Sequence, residues 1–300
     1  MNLPVGSSRD GRSARFPAIR VAVVGHTEWI EFVRVSHLPQ AGEIIHGSAA
    51  WSEPGGGGAV AAVQLAKLAG GARFLTALGD DELGQRMRRE LTELGVDVCA
   101  AVNAEAQRRA IVFIDDHGER TITVLGTRLS PAAQDPLPWG DLKGMDAIYL
   151  TAGDVQAVHH ARRARVLVAT SRVLPLLASA NVELDALVGS SKDPSERYSD
   201  GDLPLRPKLV VRTEGRAGGT FKVEGQPEQV FEAAPLPGPI KDLYGCGDSF
   251  AAGLTFGLGL GYSPREAIDV AARCGAAVAT GRGPFEAQLT LEQFSGTERR

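Results

Sequence analysis

Residues 55–98, GGGGAVAAVQLAKLAGGARFLTALGDDELGQRMRRELTELGVDV, alternate between the patterns of helices and strands. The apolar residues of AVAAVQLAKLAG recur at helical spacing, and Gly70 and Gly71 mark the end of that helix. ARFLTALG is predicted as a strand, DELGQRMRRELTELG as a helix with an acidic start, and VDVCAAV as the next strand. Because strands that are joined through helices pair in parallel, the segment predicts an α/β fold with a doubly wound, mostly parallel sheet flanked by helices.

Upstream of this segment, residues 19–25, IRVAVVG, form a β-branched run closed by glycine, which predicts the first central strand. Residues 31–54 then change to short alternating pieces such as EIIHGSAAW, a pattern typical of a hairpin or flap with one open face. Residues 108–126 contain two alternating apolar runs around a DDHG turn, which predicts a β-hairpin. We expect these two insertions to form one small β-sheet lid.

Short apolar runs continue beyond the lid in DAIYLTAG, RVLVATS, ALVGSS and KLVVRTEG, and they extend the predicted core past residue 210. The predicted organisation is a disordered tail over residues 1–18, one α/β domain over 19–288 and a C-terminal tail over 289–300. No internal repeat or low-complexity segment interrupts the domain.

The composition excludes several classes of function. A net charge of −4 gives no basic surface for nucleic acid or anionic lipid, which favours small-molecule ligands. The three cysteines, Cys99, Cys246 and Cys274, match neither a zinc pattern nor a disulfide framework. No apolar run is long enough to span a bilayer, so we expect a cytoplasmic protein without membrane or nucleic-acid partners.

Residues 242–250, DLYGCGDSF, place a glycine turn before a helix that is apolar all round and rich in small residues. Free backbone N–H groups and the helix dipole make such a turn an anion site, and glycine lets a phosphate approach the backbone. The Asp248 carboxylate would stand beside this site, where a general base could accept a hydroxyl proton. The same residues also fit a tight turn in which Asp248 is only the helix cap.

This stretch resembles the DTxGAGD signature of the ribokinase-like (PfkB) carbohydrate kinase family, and residues 55–98 resemble the N-terminal signature of that family. The resemblance covers residues 19–288. It implies an ATP-dependent transfer of the γ-phosphoryl group to a hydroxyl of a sugar, a nucleoside or a related small molecule, with Mg²⁺. It also implies that Asp248 is the base and that the amides of Gly245, Cys246 and Gly247 form an anion hole.

Other positions follow from the resemblance alone. Thr213, Gly215 and Gly218 match a T-x-G-x-x-G element along the nucleotide phosphates, and the stretch from Ala272 to Gly283 matches the adenine-binding helix and loop. A further match implies K⁺ near Asp242, although Leu243 replaces the threonine that usually follows. The resemblance also implies a homodimer that pairs through the lid. Cys246 stands where the family usually has alanine, so its small size explains its place better than thiol reactivity does.

The acceptor side departs from the family pattern. The Asp that grips sugar hydroxyls in many members corresponds to Ile30, and the Asn that commonly contacts the sugar corresponds to Val60. Apolar side chains cannot satisfy the hydroxyls of a buried sugar. Glu28 or Glu31 would substitute for the missing carboxylate, or the two are solvated charges at a strand end. The predicted substrate-binding residues are Glu28, Ile30, Gly56, Gly57, Val60 and Asp248.

A third departure concerns the metal. The N-x-x-E element, which organises magnesium in the family, aligns with Ser190–Asp193, and only Asp193 keeps a carboxylate. This change, with Ile30 and Val60, supports an alternative in which the chain keeps the fold as a ligand-binding or regulatory protein without efficient catalysis. The intact Asp248 favours the kinase. A nicotinamide-dependent dehydrogenase is disfavoured because VAVVGHTEW lacks the G-x-G-x-x-G turn.

Overall fold

A nine-stranded sheet forms the centre of the computed structural model, which describes residues 18–297. The predicted tail of residues 1–18 therefore lies, except for Ala18, outside the described residues. The strands and helices are β1 Val21–Val24, β2 Glu28–Arg34, β3 Ala49–Gly55, α1 Gly57–Ala69, β4 Ala72–Gly79, α2 Glu82–Glu93, β5 Val96–Asn103, β6 Arg109–Ile114, β7 Arg120–Leu125, β8 Ala147–Leu150, α3 Val155–Ala161, β9 Val166–Thr170, α4 Leu174–Ala180, β10 Ala186–Ser190, β11 Leu209–Thr213, β12 Gly219–Val223, β13 Gln229–Phe231, α5 Cys246–Gly259, α6 Pro264–Val278 and α7 Leu291–Thr297.

The central sheet has the strand order β13-β12-β11-β10-β9-β8-β1-β4-β5. Every pairing from β11 to β5 is parallel, and only β12 and β13 add an antiparallel edge. All four residues of β1 are buried: Val21 and Val23 join the core that includes α1, α5 and α6, whereas Ala22 and Val24 join the core that includes α3 and α4. Helices thus cover both faces, which confirms the predicted doubly wound, mostly parallel α/β fold.

A second, four-stranded sheet has the order β3-β2-β6-β7 and forms the lid. β2 pairs antiparallel with β3, and β6 pairs antiparallel with β7, as the alternating sequences predict. β2 and β6 pair in parallel and so join the two insertions in one sheet. The lid strands begin and end near the C-terminal edge of the central sheet, because β2 follows β1 after only three residues.

Close packing of α5 against α6 depends on the small residues of α5. A Cβ built on Gly253 or Gly257 would lie 2.8 Å from a Cα atom of α6, so any larger residue would push the helices apart. Residues 291–297 of the predicted C-terminal tail form α7. Phe294 of this helix is 1% exposed and makes an edge-to-face contact with Phe256 of α5.

The crossover from β10 to β11 contains no α-helix within the described residues. Its only regular structure is a 3₁₀ turn, Pro194–Glu196, directly after the strand end. The start of this connection holds Asp193 and Glu196 close to the C-terminal edge of the sheet, where ligands bind in α/β folds. Among residues 18–297 no helix is long and apolar enough to cross a membrane.

Candidate active site

The glycine turn predicted to bind an anion lies at the N-terminus of α5. Gly245 directly precedes the helix and has φ = 82°. It packs against Val60, since a Cβ at this position would lie 3.1 Å from Val60 Cγ1. A Cβ on Gly247, in contrast, would meet no atom within 4 Å, so this side of the turn faces open space. The first amides of a helix have no intrahelical acceptor. The turn therefore presents unpaired N–H groups to a space that a phosphate can enter.

Asp248 lies in the first turn of α5 and is not the cap of the helix. Gly245 holds the cap position, and no side chain caps this N-terminus. Within residues 18–297 the Asp248 carboxylate accepts no hydrogen bond and forms no ion pair. Burial raises its pKa to about 6, an effect that the positive charge of Arg172 opposes. A carboxylate with a pKa near 6 and no partner has the properties of a general base.

The thiol beside this carboxylate is unreactive. Burial raises the pKa of Cys246 to about 12, so the neutral thiol persists at any physiological pH. This agrees with the expectation that Cys246 occupies its place in the turn as a small side chain.

The glycine run Gly55–Gly58 packs directly against Asp248. A Cβ on Gly57 would lie 2.8 Å from Asp248 Oδ1 and 3.9 Å from His26 Cε1. The preceding amide, Gly56 N, donates a 2.9 Å hydrogen bond to the hydroxyl of Tyr244. The acceptor-side turn is therefore fixed to the residue that precedes Gly245.

Ile30 and Val60, the two apolar departures, are both fully buried. Ile30 packs against Gly55, where an added Cβ would lie 2.5 Å from Ile30 Cγ1, and the Tyr244 hydroxyl lies 2.9 Å from the same position. The space available to a sugar-binding Asp at position 30 is thus filled by an isoleucine, a glycine and a phenol ring.

Glu28 is buried, so it is not a solvated charge at a strand end. Its Oε1 lies 3.6 Å from His26 Nε2 and 3.3 Å from Arg108 Nε. Burial raises the pKa of Glu28, and the charges of Arg108 and Arg128 oppose the shift. Glu31, the other candidate, lies within the lid on β2 and pairs with Arg109 of the neighbouring strand β6 at 2.5 Å.

His26, which directly follows the glycine at the end of β1, is neutral. Burial lowers the pKa of His26 to about 3, and the positive charges of Arg128, Arg108 and Arg172 lower it further. These three arginines come from separate elements: Arg108 precedes β6, Arg128 follows β7, and Arg172 follows β9. The fold therefore gathers three positive charges around one imidazole.

The predicted nucleotide-binding residues lie at another part of the same edge. Thr213 ends β11, and its hydroxyl donates to Gly189 O at 3.4 Å. Gly215 and Gly218 adopt φ of 67° and 82° in the following turn, where Glu214 N donates to Gly218 O. Such a turn holds backbone groups in place beside a strand end.

Asp242 joins the glycine turn to the loop after α6. Its carboxylate is fully buried and accepts hydrogen bonds from Tyr244 N at 2.8 Å and from Gly283 N at 3.0 Å. Burial raises the pKa of Asp242, while the two N–H groups lower it. Gly283 is thus brought to the base of the turn, whereas Ala272 lies on α6 and is half-buried.

The predicted metal ligand Asp193 is engaged elsewhere. It accepts hydrogen bonds from Ser195 and forms an ion pair with Arg172 at 3.0 Å. The hydrogen bonds from Ser195 lower the pKa of Asp193, and the Arg172 charge lowers it further. Glu196 also contacts Arg172 and accepts a hydrogen bond from Ser190 N at 2.8 Å.

In the described part of the chain no three His, Cys, Asp or Glu side chains converge as a metal site. Magnesium commonly keeps its waters and binds through one or two carboxylates together with substrate phosphates. Asp193 and Glu196 fit that limited contribution, and they do not fit a site in which protein side chains alone hold the ion.

Sequence reasoning missed several residues of this site. A signal exists for some of them, since His26 and Arg172 follow strands whose C-terminal ends line the ligand edge of an α/β sheet. Arg108 and Arg128 flank the lid hairpin, and only the tertiary fold brings them to His26. The missed residues are His26, Arg108, Arg128, Arg172, Glu196 and Tyr244.

Comparison with known proteins places the whole described domain in one family. The model of the pfkB family of carbohydrate kinases matches residues 18–171 and 174–290. A fructokinase of Klebsiella pneumoniae is 28% identical over 273 residues, which cover 78% of this chain and 88% of that protein. A fructokinase of Escherichia coli is 29% identical over 276 residues, with the same coverage of 78% and 88%.

Solved structures share the fold. Arabidopsis thaliana ribokinase, complexed with ribose and ATP, superimposes with a TM-score of 0.74 at 21% identity, over 93% of this chain and 98% of that chain.

Proposed function

Because the chain belongs to the pfkB family of carbohydrate kinases, and is therefore a phosphotransferase with an alcohol group as acceptor, we propose that Asp248 is the base of its reaction. The substrate pair is ATP and a hydroxyl-bearing small molecule of the sugar or nucleoside class. Asp248 takes the proton of the acceptor hydroxyl as the oxygen attacks the γ-phosphorus. The bond between this phosphorus and the bridging oxygen breaks, and its electron pair leaves with ADP.

The observation that carries this proposal is the state of the Asp248 carboxylate. It lies beside Gly57, has a pKa of about 6, and is free of hydrogen bonds and ion pairs to residues 18–297. The carboxylate of an ordinary helix cap accepts hydrogen bonds from backbone N–H groups. A poorly solvated carboxylate without such hydrogen bonds is unfavourable unless it binds a ligand.

The amides of Gly245, Cys246 and Gly247 are proposed to stabilise the charge of the transferred phosphoryl group. Their N–H groups begin a helix whose dipole favours an anion, and the space beside Gly247 is open. Fixed donors of this kind contribute about 3 kcal/mol each where charge develops.

ATP is proposed to lie across the turn of Thr213, Gly215 and Gly218, with its adenine toward the Ala272–Gly283 stretch. The described residues leave the magnesium of MgATP to be held mainly by the phosphates, with Asp193 and Glu196 near its waters. The ion supplies charge neutralisation to the phosphates. K⁺ near Asp242 and a homodimer through the lid remain predictions.

Replacing Asp248 with asparagine tests the proposal. In an assay of ADP formation with a panel of sugars, sugar phosphates, sugar acids and nucleosides, we expect Asp248→Asn to lose about 10²–10⁴ in kcat. Burial raises the folded-state pKa above its unfolded value, so the ionised carboxylate destabilises the fold as pH rises through about 4 to 6. The thermal midpoint of the variant at pH 8 should therefore equal or exceed that of the wild type.

Wild-type turnover by the variant would overturn the role of Asp248. If the wild-type protein forms no ADP with any acceptor, yet binds one tightly in calorimetry, the ligand-binding alternative is favoured instead. A Ser295→Ala variant, changed far from the site, serves as the control for expression and assay.

A further inference from the structure

Two arginines at the base of the lid face the acceptor side of the site. Arg108 directly precedes β6, and Arg128 follows β7 by three residues. Between them, Gly126 turns with φ = 87°, and a Cβ built on it would lie 3.9 Å from Arg108 Cα. The antiparallel pairing of β6 with β7 thus brings the two ends of this hairpin together above His26 and Glu28.

The charges around these arginines do not balance. Glu28 is the single carboxylate paired with Arg108, and its Oε1 lies 3.3 Å from Nε without the geometry of a hydrogen bond. Arg128 makes no ion pair or hydrogen bond with residues 18–297. His26 is buried, neutral and leaves its Nδ1 without a partner. Two guanidinium groups therefore face one carboxylate, and one positive charge is left over.

Arg172 does not add to this excess. It forms ion pairs with Asp193 and Glu196. Asp248 lies nearby, and the charges of Arg172 and Arg120 lower its pKa against the effect of burial. Of the three arginines around His26, Arg128 alone thus has no carboxylate partner within residues 18–297.

Arg108 is largely buried and Arg128 is exposed, so the two cations stand where a ligand can reach them. Burial lowers the pKa of Arg128, and the neighbouring Arg108 lowers it further. Arginine offers a planar fork of donors that matches phosphate and carboxylate oxygens, which makes paired arginines typical of anion recognition.

We propose that Arg108 and Arg128 bind an anionic group on the phosphoryl acceptor, so that the substrate is a sugar phosphate or a sugar acid rather than a neutral sugar. This inference rests on the proposed kinase function. The position of a Gly57 Cβ is within 4 Å of both His26 Cε1 and Asp248 Oδ1, so His26, around which the arginines gather, adjoins the base. One molecule can therefore present its anionic group to the arginines and a hydroxyl to Asp248.

The test compares acceptors that share a carbon skeleton and differ in charge. The panel consists of fructose and fructose 6-phosphate, ribose and ribose 5-phosphate, and glucose and gluconate, with ADP formation as the readout. We expect kcat/KM to be at least tenfold higher for an anionic member than for its neutral counterpart. The phosphate and carboxylate pairs distinguish the two sources of the charge.

Arg128→Gln is the informative variant, since Arg128 is exposed and its loss leaves the core intact. We expect its KM for the anionic acceptor to rise about 10- to 100-fold, the cost of one charged hydrogen-bonding partner. The KM for ATP, by contrast, should not change. Arg89→Gln, which replaces an exposed arginine on α2, is the matched control.

A preference for neutral acceptors, or an Arg128→Gln variant with unchanged KM for the anionic ones, would overturn the inference and leave the kinase function intact. If no compound yields ADP, the kinase function fails separately. Calorimetric titration of fructose 6-phosphate and gluconate into the wild-type and Arg128→Gln proteins then decides the inference, because equal affinities, including no binding to either protein, would exclude the anion site.

Discussion

The two sides of the site use different chemical groups: one side uses the backbone, and the other uses side chains. The glycine turn at Gly245–Gly247 uses backbone N–H groups, and its side chains matter mainly because they are small. The acceptor side uses side chains, with His26 and Glu28 from the β1–β2 connection and two arginines from the lid. In the proposed reaction the first arrangement serves the phosphoryl group, which is the same for every acceptor, while the second serves the particular molecule to be bound. This explains why the turn keeps the family pattern and the acceptor side departs from it.

The strongest test of this difference between the two sides restores the family's usual carboxylate at position 30. Ile30→Asp should not create a sugar site, because position 30 is fully buried and is packed by Gly55 and Tyr244. We expect an uncompensated buried charge to lower the free energy of unfolding by about 3–5 kcal/mol. Chemical denaturation at pH 7.5 measures this loss.

Ile30→Val is the matched control and should cost only about 0.5–1.5 kcal/mol. An Ile30→Asp protein that is as stable as the wild type and phosphorylates neutral sugars would show that the acceptor side differs from the family pattern by one residue alone.

A smaller effect is expected where the two sides meet. A Gly57→Ala methyl group would lie 2.8 Å from Asp248 Oδ1, so the carboxylate must move. Because a displacement of about 1 Å can cost 10²-fold in rate, we expect kcat to fall about 10- to 100-fold with little change in the thermal midpoint. Gly140→Ala, at a position with no atom within 4 Å, is the control and should leave kcat unchanged. Wild-type kcat in Gly57→Ala would mean that the position of Asp248 is not critical.

The pH profile sharpens the comparison further. If the raised pKa of Asp248, about 6, belongs to the base, kcat/KM should fall tenfold per unit below pH 6 and level off above it. The acceptor used in this assay must not itself titrate between pH 5 and 8, so a carboxylate or a neutral compound is preferable to a phosphate. The residual activity of Asp248→Asn should lose this dependence. A midpoint near 4 would indicate a solvated carboxylate and would contradict the burial described here.

The sequence predicts the sheet because its signals are local. The run of β1, the glycine-bounded helix α1 and the two lid insertions each carry their own periodicity, and all are confirmed. The sequence does not indicate α7 within the predicted C-terminal tail, because a helix of only seven residues depends on the tertiary packing of Phe294 rather than on its own pattern.

The acceptor side was harder to predict because its members are distant in the sequence. Arg108 and Arg128 look like exposed charges around a hairpin until the parallel pairing of β2 with β6 places that hairpin over His26. Glu196 was missed for a different reason. The match to the N-x-x-E element pointed to Asp193, whereas the 3₁₀ turn after β10 brings both carboxylates to Arg172.

The hydrogen bond from Gly56 N to the Tyr244 hydroxyl has a mechanical consequence. It spans the gap between the acceptor-side turn and the residue before Gly245, and the phenol ring is held by an edge-to-face contact with Phe32. The separation of the two turns is therefore fixed by the length of one rigid side chain. A substrate that enters this cleft therefore loses no binding free energy to moving the two turns, since their separation is already set before anything binds.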